Sequence, residues 1–271
     1  MIEFDIARLV EIVRDAGDAI LEVYHTDFEV ANKQDESPLT QADLAAHKVI
    51  VAGLSEMTPD IPIISEESEP PGYAVRSGWA RYWLVDPLDG TKEFVNRNGE
   101  FTVNIALIEN HQAVAGIVGV PVENAIYVGD VRSGVAQKIE ADQVTDLTPR
   151  KMQGPDQELI LVASRSHGSD ELESYIDSLS AHFASLDKRP VGSSLKLCTL
   201  AEGLADCYPR IGPTSEWDIG AAHAVLAAAG GAVWQLDGAA LSYNSKESFL
   251  NPYFVAVADA DFDWWSVLPA A

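Results

Sequence analysis

The stretch Trp83-Leu84-Val85-Asp86-Pro87-Leu88-Asp89-Gly90-Thr91-Lys92-Glu93-Phe94 decides how the rest of the chain is read. Three apolar residues run straight into an acidic segment broken by proline and glycine. Trp83, Leu84 and Val85 predict the end of a buried strand. Pro87 fixes its own φ and carries no N–H, while Gly90 admits backbone geometry that other residues resist. The pattern predicts a stiff turn at the mouth of a sheet, presenting Asp86 and Asp89 together. A hard cation such as Mg²⁺ takes oxygen ligands held in this way and keeps room for water and substrate phosphate. Gly90 and Thr91 add backbone N–H groups and a hydroxyl, which suit an anion. A bare Asp-x-x-Asp is more simply a surface turn whose side chains bond nearby amides. The apolar run before it and Gly-Thr after it favour metal-assisted phosphate chemistry.

The bulk properties narrow the setting. At 271 residues the chain has room for one large domain or two small ones, and 47% hydrophobic residues suffice for a core. No apolar run approaches the length that spans a bilayer. Met1-Ile2-Glu3-Phe4-Asp5 lacks the basic region and cleavage site of a signal peptide. The two cysteines, Cys198 and Cys207, have no metal-like spacing. Together these features predict a reduced, intracellular, cytoplasmic protein. A formal charge of −24 argues against nucleic-acid polymers and anionic membranes as partners, because both are bound through basic surface. It would also repel a phosphate ester unless bound cations reversed the local field.

Outward from the opening stretch, residues 2–24 carry a helical apolar stripe at Ile6, Leu9, Val10, Val13, Ala16, Ile20 and Leu21. Ala31 to Pro38 reads as a polar hairpin or loop. Thr40-x-x-Asp43 predicts a helix start of capping-box character. Ile61–Ile64 predicts a short buried strand, and Ser65 to Gly72 a loop. Strand-like runs at 101–108, 113–120, 125–128 and 134–139 are spaced as an antiparallel meander. The polar stretch Asp142–Asp156, with Pro149 and Pro155, separates an N-terminal half, residues 1–148, from a C-terminal half, residues 149–271. The second half alternates: strand 159–163, helix 170–179, a weak strand near 183–186, helix 195–204, strand 206–208, helix 218–229, then strands near 232–234 and 253–257. The two halves together read as one compact unit.

Further acids share the logic of the Asp86–Asp89 pair. Glu66 and Glu67 follow an apolar strand, as Asp86 does, and are placed to emerge on the same sheet edge. Asp218, in Ser215-Glu216-Trp217-Asp218, stands at the start of a small-residue helix and reads as an N-cap. Taken singly, Asp218 is equally a cap, Glu66 and Glu67 solvated loop charges, and Asp43 a first-turn helix acid. Converging on one pocket, they would raise one another's pKa values and stay ionised only with cations among them.

Glu-Glu after an Ile-rich strand, Asp-Pro-Leu-Asp-Gly-Thr, and a later Trp-Asp at a helix start resemble the lithium-sensitive, magnesium-dependent phosphatases of the inositol monophosphatase superfamily. The likeness runs over nearly the whole chain. Gly90–Phe94, Asn98–Asn104, Ser164-Arg165-Ser166-His167, Gly192-Ser193-Ser194-Leu195-Lys196, Tyr208–Thr214 and Glu247–Pro252 narrow it to the 3'(2'),5'-bisphosphate nucleotidases. One departure stands out: Gly220 occupies a position where that pattern usually has alanine.

The resemblance implies a layered αβαβα sandwich of the inositol monophosphatase/fructose bisphosphatase type, with metals between the halves. It implies Mg²⁺ as cofactor, in two or three ions. Glu66, Asp86 and the Leu88 carbonyl would hold one, Asp86, Asp89 and Asp218 a second, and Glu66 or Glu67 a looser third. Asp43, Thr91 and Glu66 form the implied catalytic set, Asp43 and Thr91 orienting and deprotonating water. Gly90 and Thr91 would bind the transferred phosphate. Ser164, His167, Gly192, Lys196, Arg210 and Asp218 would contact the nucleotide, Lys196 being the natural partner of a second phosphate. Read without the resemblance, Lys196 is equally a solvated helix lysine and His167 a polar loop residue. Arg165 is a weaker candidate than Lys196 for the charge role, and Lys92 pairs with acidic loops. The implied reaction is hydrolysis of adenosine 3',5'-bisphosphate to AMP and phosphate, extending to 3'-phosphoadenylyl sulfate. The rival readings are an inositol monophosphatase or broader sugar phosphatase, and a metal- or nucleotide-binding regulator without turnover. A small-molecule partner is expected in a monomer or homodimer with no integral membrane segment, although relatives of this kind associate peripherally with the inner membrane.

Overall fold

The structure, a computed structural model, describes residues 5–26, 38–141, 143–154, 156–165 and 169–269. The polar stretch 31–37 and His167 lie outside the described residues. Helix α1, Ile6–Tyr24, starts on an Asp5 carboxylate that accepts from Ala7 N at 2.9 Å. Of its predicted apolar stripe, Leu9, Val10, Val13, Ala16 and Ile20 are buried and Ile6 and Leu21 half-buried, with Ile12 buried beside them. Helix α2, Pro38–Met57, begins two residues before Thr40, so Asp43 sits inside the helix and Thr40 is not its cap. The two helices pack closely enough that a Cβ on Gly53 would meet Ile12 Cγ1 at 2.6 Å.

Strand β1, Ile63–Ser65, is followed by a short helix α3, Tyr73–Arg76, just after the stretch read as loop. Strand β2, Arg81–Asp89, corrects the reading of the opening stretch. The chain does not turn at Asp86: the strand continues through Pro87 to Asp89, with a register shift between Asp86 and Asp89 in its pairing with the next strand. A bulge is where a sheet tolerates a proline that cannot donate to the ladder. Helix α4, Thr91–Val95, then leaves from Gly90, whose φ of +97° favours a glycine.

Strands β3 (Thr102–Glu109), β4 (Gln112–Val120), β5 (Ala125–Asp130), β6 (Val135–Glu140) and β7 (Gln143–Asp146) continue the predicted meander. β7 lies in the stretch read as a polar boundary. These strands form a seven-stranded sheet in chain order, with β1 parallel to β2 and the rest antiparallel.

The later chain contributes β8 (Glu158–Ser164), α5 (Asp170–Ser180), β9 (Ser185–Val191), α6 (Leu195–Ala201), β10 (Cys207–Arg210), α7 (Glu216–Ala229), β11 (Ala232–Gln235) and β12 (Phe254–Val257). The strands order β11-β12-β10-β8-β9 in a second sheet. The layers are α1 and α2, the first sheet, α6 and α7, the second sheet, and α5: an αβαβα sandwich. One buried cluster fills the space between α1, α2 and the first sheet. A second joins both sheets through α6 and α7, and a third lies between the second sheet, α5 and Trp264.

The middle layer depends on missing side chains. Gly116 of β4 and Gly129 of β5 face each other in register. A Cβ on Gly116 would lie 2.1 Å from the Ala221 carbonyl oxygen, and one on Gly129 2.4 Å from Val225 Cα. Backbone of α7 thus lies directly on backbone of the sheet. Gly220 is less tightly bound to be glycine, since its Cβ would meet Leu84 Cδ2 at 3.2 Å. Among the described residues no helix is long and apolar enough to cross a membrane.

Candidate active site

The parallel pairing of β1 with β2 builds the acidic wall. Ser65 is in register with Val85, and Glu66 N donates to the Val85 carbonyl at 3.1 Å. Both strands therefore release their acids at one edge, Glu66 beside Asp86, as their shared pattern predicts. The bulge carries Asp89 to the same region, with Leu88 N donating to Asp86 Oδ1 at 3.0 Å. From the middle layer α7 supplies Asp218. It is not the N-cap: Ser215 caps the helix, and Asp218 lies in the first turn with Oδ2 accepting from Ser215 N at 2.9 Å.

These groups border a cavity of about 310 Å³ with Glu66, Asp86, Leu88, Asp89, Gly90, Thr91 and Asp218 on one side. Ser164, Lys196 and Arg210 line it from the second half, together with Lys92, Glu93, Ser193, Tyr208 and Thr214. Asp43 and Glu67 do not line it. Both belong to the same electrostatic cluster, since burial first, then Glu67 and Glu66, push the Asp43 carboxyl up to about 8. Gly192 stands behind the wall: its N–H donates to Glu100 Oε2 at 2.7 Å, and a Cβ there would strike Glu93 and Glu100. Arg165 is held away by Glu100, Nε to Oε2 at 2.8 Å.

The electrostatics are severe. Asp86 is 1% exposed, and burial together with Asp89, Glu66 and Asp218 raises its pKa well above the usual carboxylate range. Burial and Asp218 push Asp89 to about 7; burial, with Glu66 adding, lifts Asp218 to about 6. Burial, with Asp89 and Glu67, raises Glu66. Across the cavity, burial lowers Lys196 to about 8 against the pull of Asp89, and its Nζ donates to the Ser193 carbonyl at 2.7 Å. Arg210 Nη2 donates to the Pro213 carbonyl at 2.8 Å.

The donor set fits a hard divalent cation. It consists of carboxylate oxygens and one carbonyl, each carboxylate destabilised as an anion, and Asp43 Oδ1 is buried without a partner. Among the described residues no group of three His, Cys, Asp or Glu side chains is close enough to hold a metal ion as placed. The buried charge is the stronger indicator, because it demands a counter-ion whatever the side-chain rotamers.

Some cavity residues carried no assigned role in the sequence. Glu93, Ser193, Tyr208 and Thr214 line the cavity, and Thr102 and Asn104 lie fully buried close behind it. Thr102 and Asn104 left a legible trace: polar residues two apart in an otherwise apolar strand share one face.

A model of the inositol monophosphatase family matches residues 2–260. The chain is 50% identical over 249 residues to a Salmonella typhimurium protein named 3'(2'),5'-bisphosphate nucleotidase CysQ, covering 91% of this chain and 97% of that one. An Escherichia coli K12 protein of the same name is 49% identical over 249 residues, with 91% and 97% covered. The fold superposes on the crystal structure of CysQ from Bacteroides thetaiotaomicron with a TM-score of 0.85 at 40% identity, covering 94% of this chain and 97% of that one.

Proposed function

This chain belongs to the inositol monophosphatase family, and from that premise we propose that it is a 3'(2'),5'-bisphosphate nucleotidase. It removes the 3'-phosphate of adenosine 3',5'-bisphosphate, leaving AMP and phosphate. The observation that carries this reading is a single cavity with an acidic wall on one side and Lys196 and Arg210 on the other. One wall suits cations and a phosphoryl group in transfer, the other a second phosphate that stays on the product. The names of relatives about half identical to this chain point the same way.

Enzymes of this family are metal-dependent, in general on Mg²⁺. In our reading Glu66, Asp86 and the Leu88 carbonyl would hold one ion, and Asp86, Asp89 and Asp218 a second. Glu66 or Glu67 would hold a looser third. Bound there, such ions would supply acidification of an attacking water and neutralisation of charge on the phosphoryl oxygens.

The chain's own residues supply the rest. Asp43 accepts the water's proton through the Thr91 hydroxyl, a relay that lets a weak base serve. Glu66 shares in orienting that water. The amides of Gly90 and Thr91, at the turn into α4, hold the transferred phosphate. Lys196, poised at about 8, carries the positive charge for the second phosphate, with Arg210 and Ser164 beside it. His167 is assigned to the nucleotide by its sequence motif alone. Gly192 acts by leaving room for Glu93 and Glu100. The sulfated nucleotide 3'-phosphoadenylyl sulfate presents the same 3'-phosphate and is a second substrate. The protein works in the cytoplasm.

Hydrolysis of adenosine 3',5'-bisphosphate and inositol 1-phosphate should be compared at equal Mg²⁺. We expect the nucleotide to be preferred at least about tenfold in kcat/KM, the scale of one well-placed charged contact. A wide preference for the inositol ester would overturn the substrate.

A further inference from the structure

Two buried polar side chains on β3 stand directly beside the acidic wall. Thr102 and Asn104 are both 0% exposed, and being two apart on a strand they face one side of the sheet. In the β2–β3 ladder Thr102 pairs with Asp89 and Asn104 with Asp86. From the other half comes Ser194, 1% exposed, just before α6. Its hydroxyl donates to Asn104 Oδ1 at 2.8 Å and lies 2.9 Å from Thr102 Oγ1. A serine hydroxyl has one proton, so Thr102 must be the donor of the second bond. The result is a directed relay, Thr102 to Ser194 to Asn104.

The relay leads to the cavity through its middle member and through its Asn104 end. The Ser194 backbone N–H faces the Asp89 carboxylate and lowers its pKa against the effect of burial. The preceding residue, Ser193, holds a φ of +40°, and its carbonyl accepts the Lys196 ammonium at 2.7 Å. A non-glycine residue in that region is strained, and such strain persists only where surroundings impose it. The Gly90 turn also abuts this loop, its Cβ position lying 3.3 Å from Ser193 Cβ. Finally, Asn104 Nδ2 is buried without a partner. An unmet buried donor is costly, and here it lies across the ladder from Asp86.

We propose that Thr102, Ser194 and Asn104 form a positioning clamp that couples cation binding to substrate binding. The clamp seats one short loop, and that loop both faces Asp89 and anchors Lys196. It therefore aligns the acidic wall of one half with the cationic wall of the other. None of the three is a catalytic residue. The inference rests on the bisphosphate reading of the site for its substrate arm, but its cation arm stands without it.

The test uses Thr102→Val, which keeps volume and loses the hydroxyl, Thr102→Ser, which keeps the hydroxyl, and Ser194→Ala. The Mg²⁺ midpoint of the thermal stabilisation is measured without substrate, and KM for adenosine 3',5'-bisphosphate at saturating Mg²⁺. Thr102→Val and Ser194→Ala should each raise both constants about tenfold, the scale for outer-shell partners of a metal site. Their kcat should stay within about threefold, and their double variant should be no worse than either single one. Thr102→Ser should restore both constants to within about twofold. Folded variants with both constants unchanged would overturn the clamp. So would a fall in Tm and kcat with KM and the Mg²⁺ midpoint intact, which marks a merely structural contact. If wild-type protein binds Mg²⁺ but does not hydrolyse the nucleotide, the substrate reading fails while the cation arm remains decisive.

Discussion

Glu66 donates its backbone N–H to the carbonyl of Val85 at 3.1 Å, across the parallel pair β1–β2. Two parallel strands release the chain at the same end of a sheet. Two acids separated by twenty positions therefore become neighbours through backbone pairing alone. The buried cluster they begin is costly to ionise, and that cost governs how the protein responds to pH and to metal.

Asp89→Asn should lower turnover by at least about 100-fold while leaving the fold intact. The neutral amide removes a buried carboxylate that burial and Asp218 already disfavour as an anion. Chelator-treated Asp89→Asn should thus be no less stable than the wild type near pH 8, as thermal unfolding would reveal. Retained turnover would remove Asp89 from the site.

Stability of the metal-free protein should fall as pH rises. Folding lifts Asp43 to about 8, Asp89 to about 7 and Asp218 to about 6, with burial first among the causes. A raised native pKa means the native state holds protons that the unfolded chain has already lost. The contribution is present below the unfolded carboxylate pKa of about 4 and is lost as pH climbs toward 8. Bound Mg²⁺ cancels the penalty, so its effect on Tm should be larger at pH 8 than at pH 5. Comparing Tm with and without Mg²⁺ at each pH removes the opposite effect of His223, which burial depresses to about 4. An equal Mg²⁺ effect at both values would contradict the assignment.

Gly116→Ala should cost at least about 3 kcal/mol, at the upper end for overpacking, because its Cβ would meet backbone rather than a yielding side chain. Since Ala221 follows Asp218 by less than one helical turn, displacement of α7 should also weaken Mg²⁺ binding. Urea unfolding and a Mg²⁺ titration of the same variant measure the two effects. Loss of stability without loss of Mg²⁺ affinity would show that α7 shifts without carrying Asp218.

Arg76→Met should destabilise by about 3–5 kcal/mol, the usual cost of stranding a buried partner. Arg76 is 2% exposed, bonds the Asn244 side chain and the Glu247 carbonyl, and stacks 4.1 Å from the Phe249 ring. Asn244 in turn donates from its backbone N–H to Glu216 Oε2 at 2.8 Å, in the first turn of α7. A Tm within about 2 °C of wild type would show that Glu216 is held by other groups.

Much of the fold was legible because its signals are local. The stripe of α1 recurs with the period of a helix, the strand-like runs of β3 to β6 are marked by residue type and spacing, and each appears in place. The departures lie where tertiary context overrides a local sign. Pro87 and Gly90 read as a turn, yet the ladder with β3 carries the strand on to Asp89 through a bulge. Asp218 read as a cap, yet Ser215 takes that position. The weak run near 183–186 became β9, Ser185–Val191, because pairing with β8 extends it beyond its own apolar residues.

Residue types and short spacings carry the chemical inventory. The acids after apolar strands, the Gly-Thr beside them and the lysine after Gly-Ser-Ser are set by residue type and short spacing, which need no fold to be seen. Which of these groups meet depends on strand register and layer packing. Register placed Glu66 beside Asp86 and Thr102 beside Asp89, and glycine contacts seated α7 so that Asp218 reached them. A relay of hydroxyls then joined Ser194 and Lys196 to that wall. Contacts between residues some ninety positions apart arise from packing of layers, and no local pattern encodes that distance.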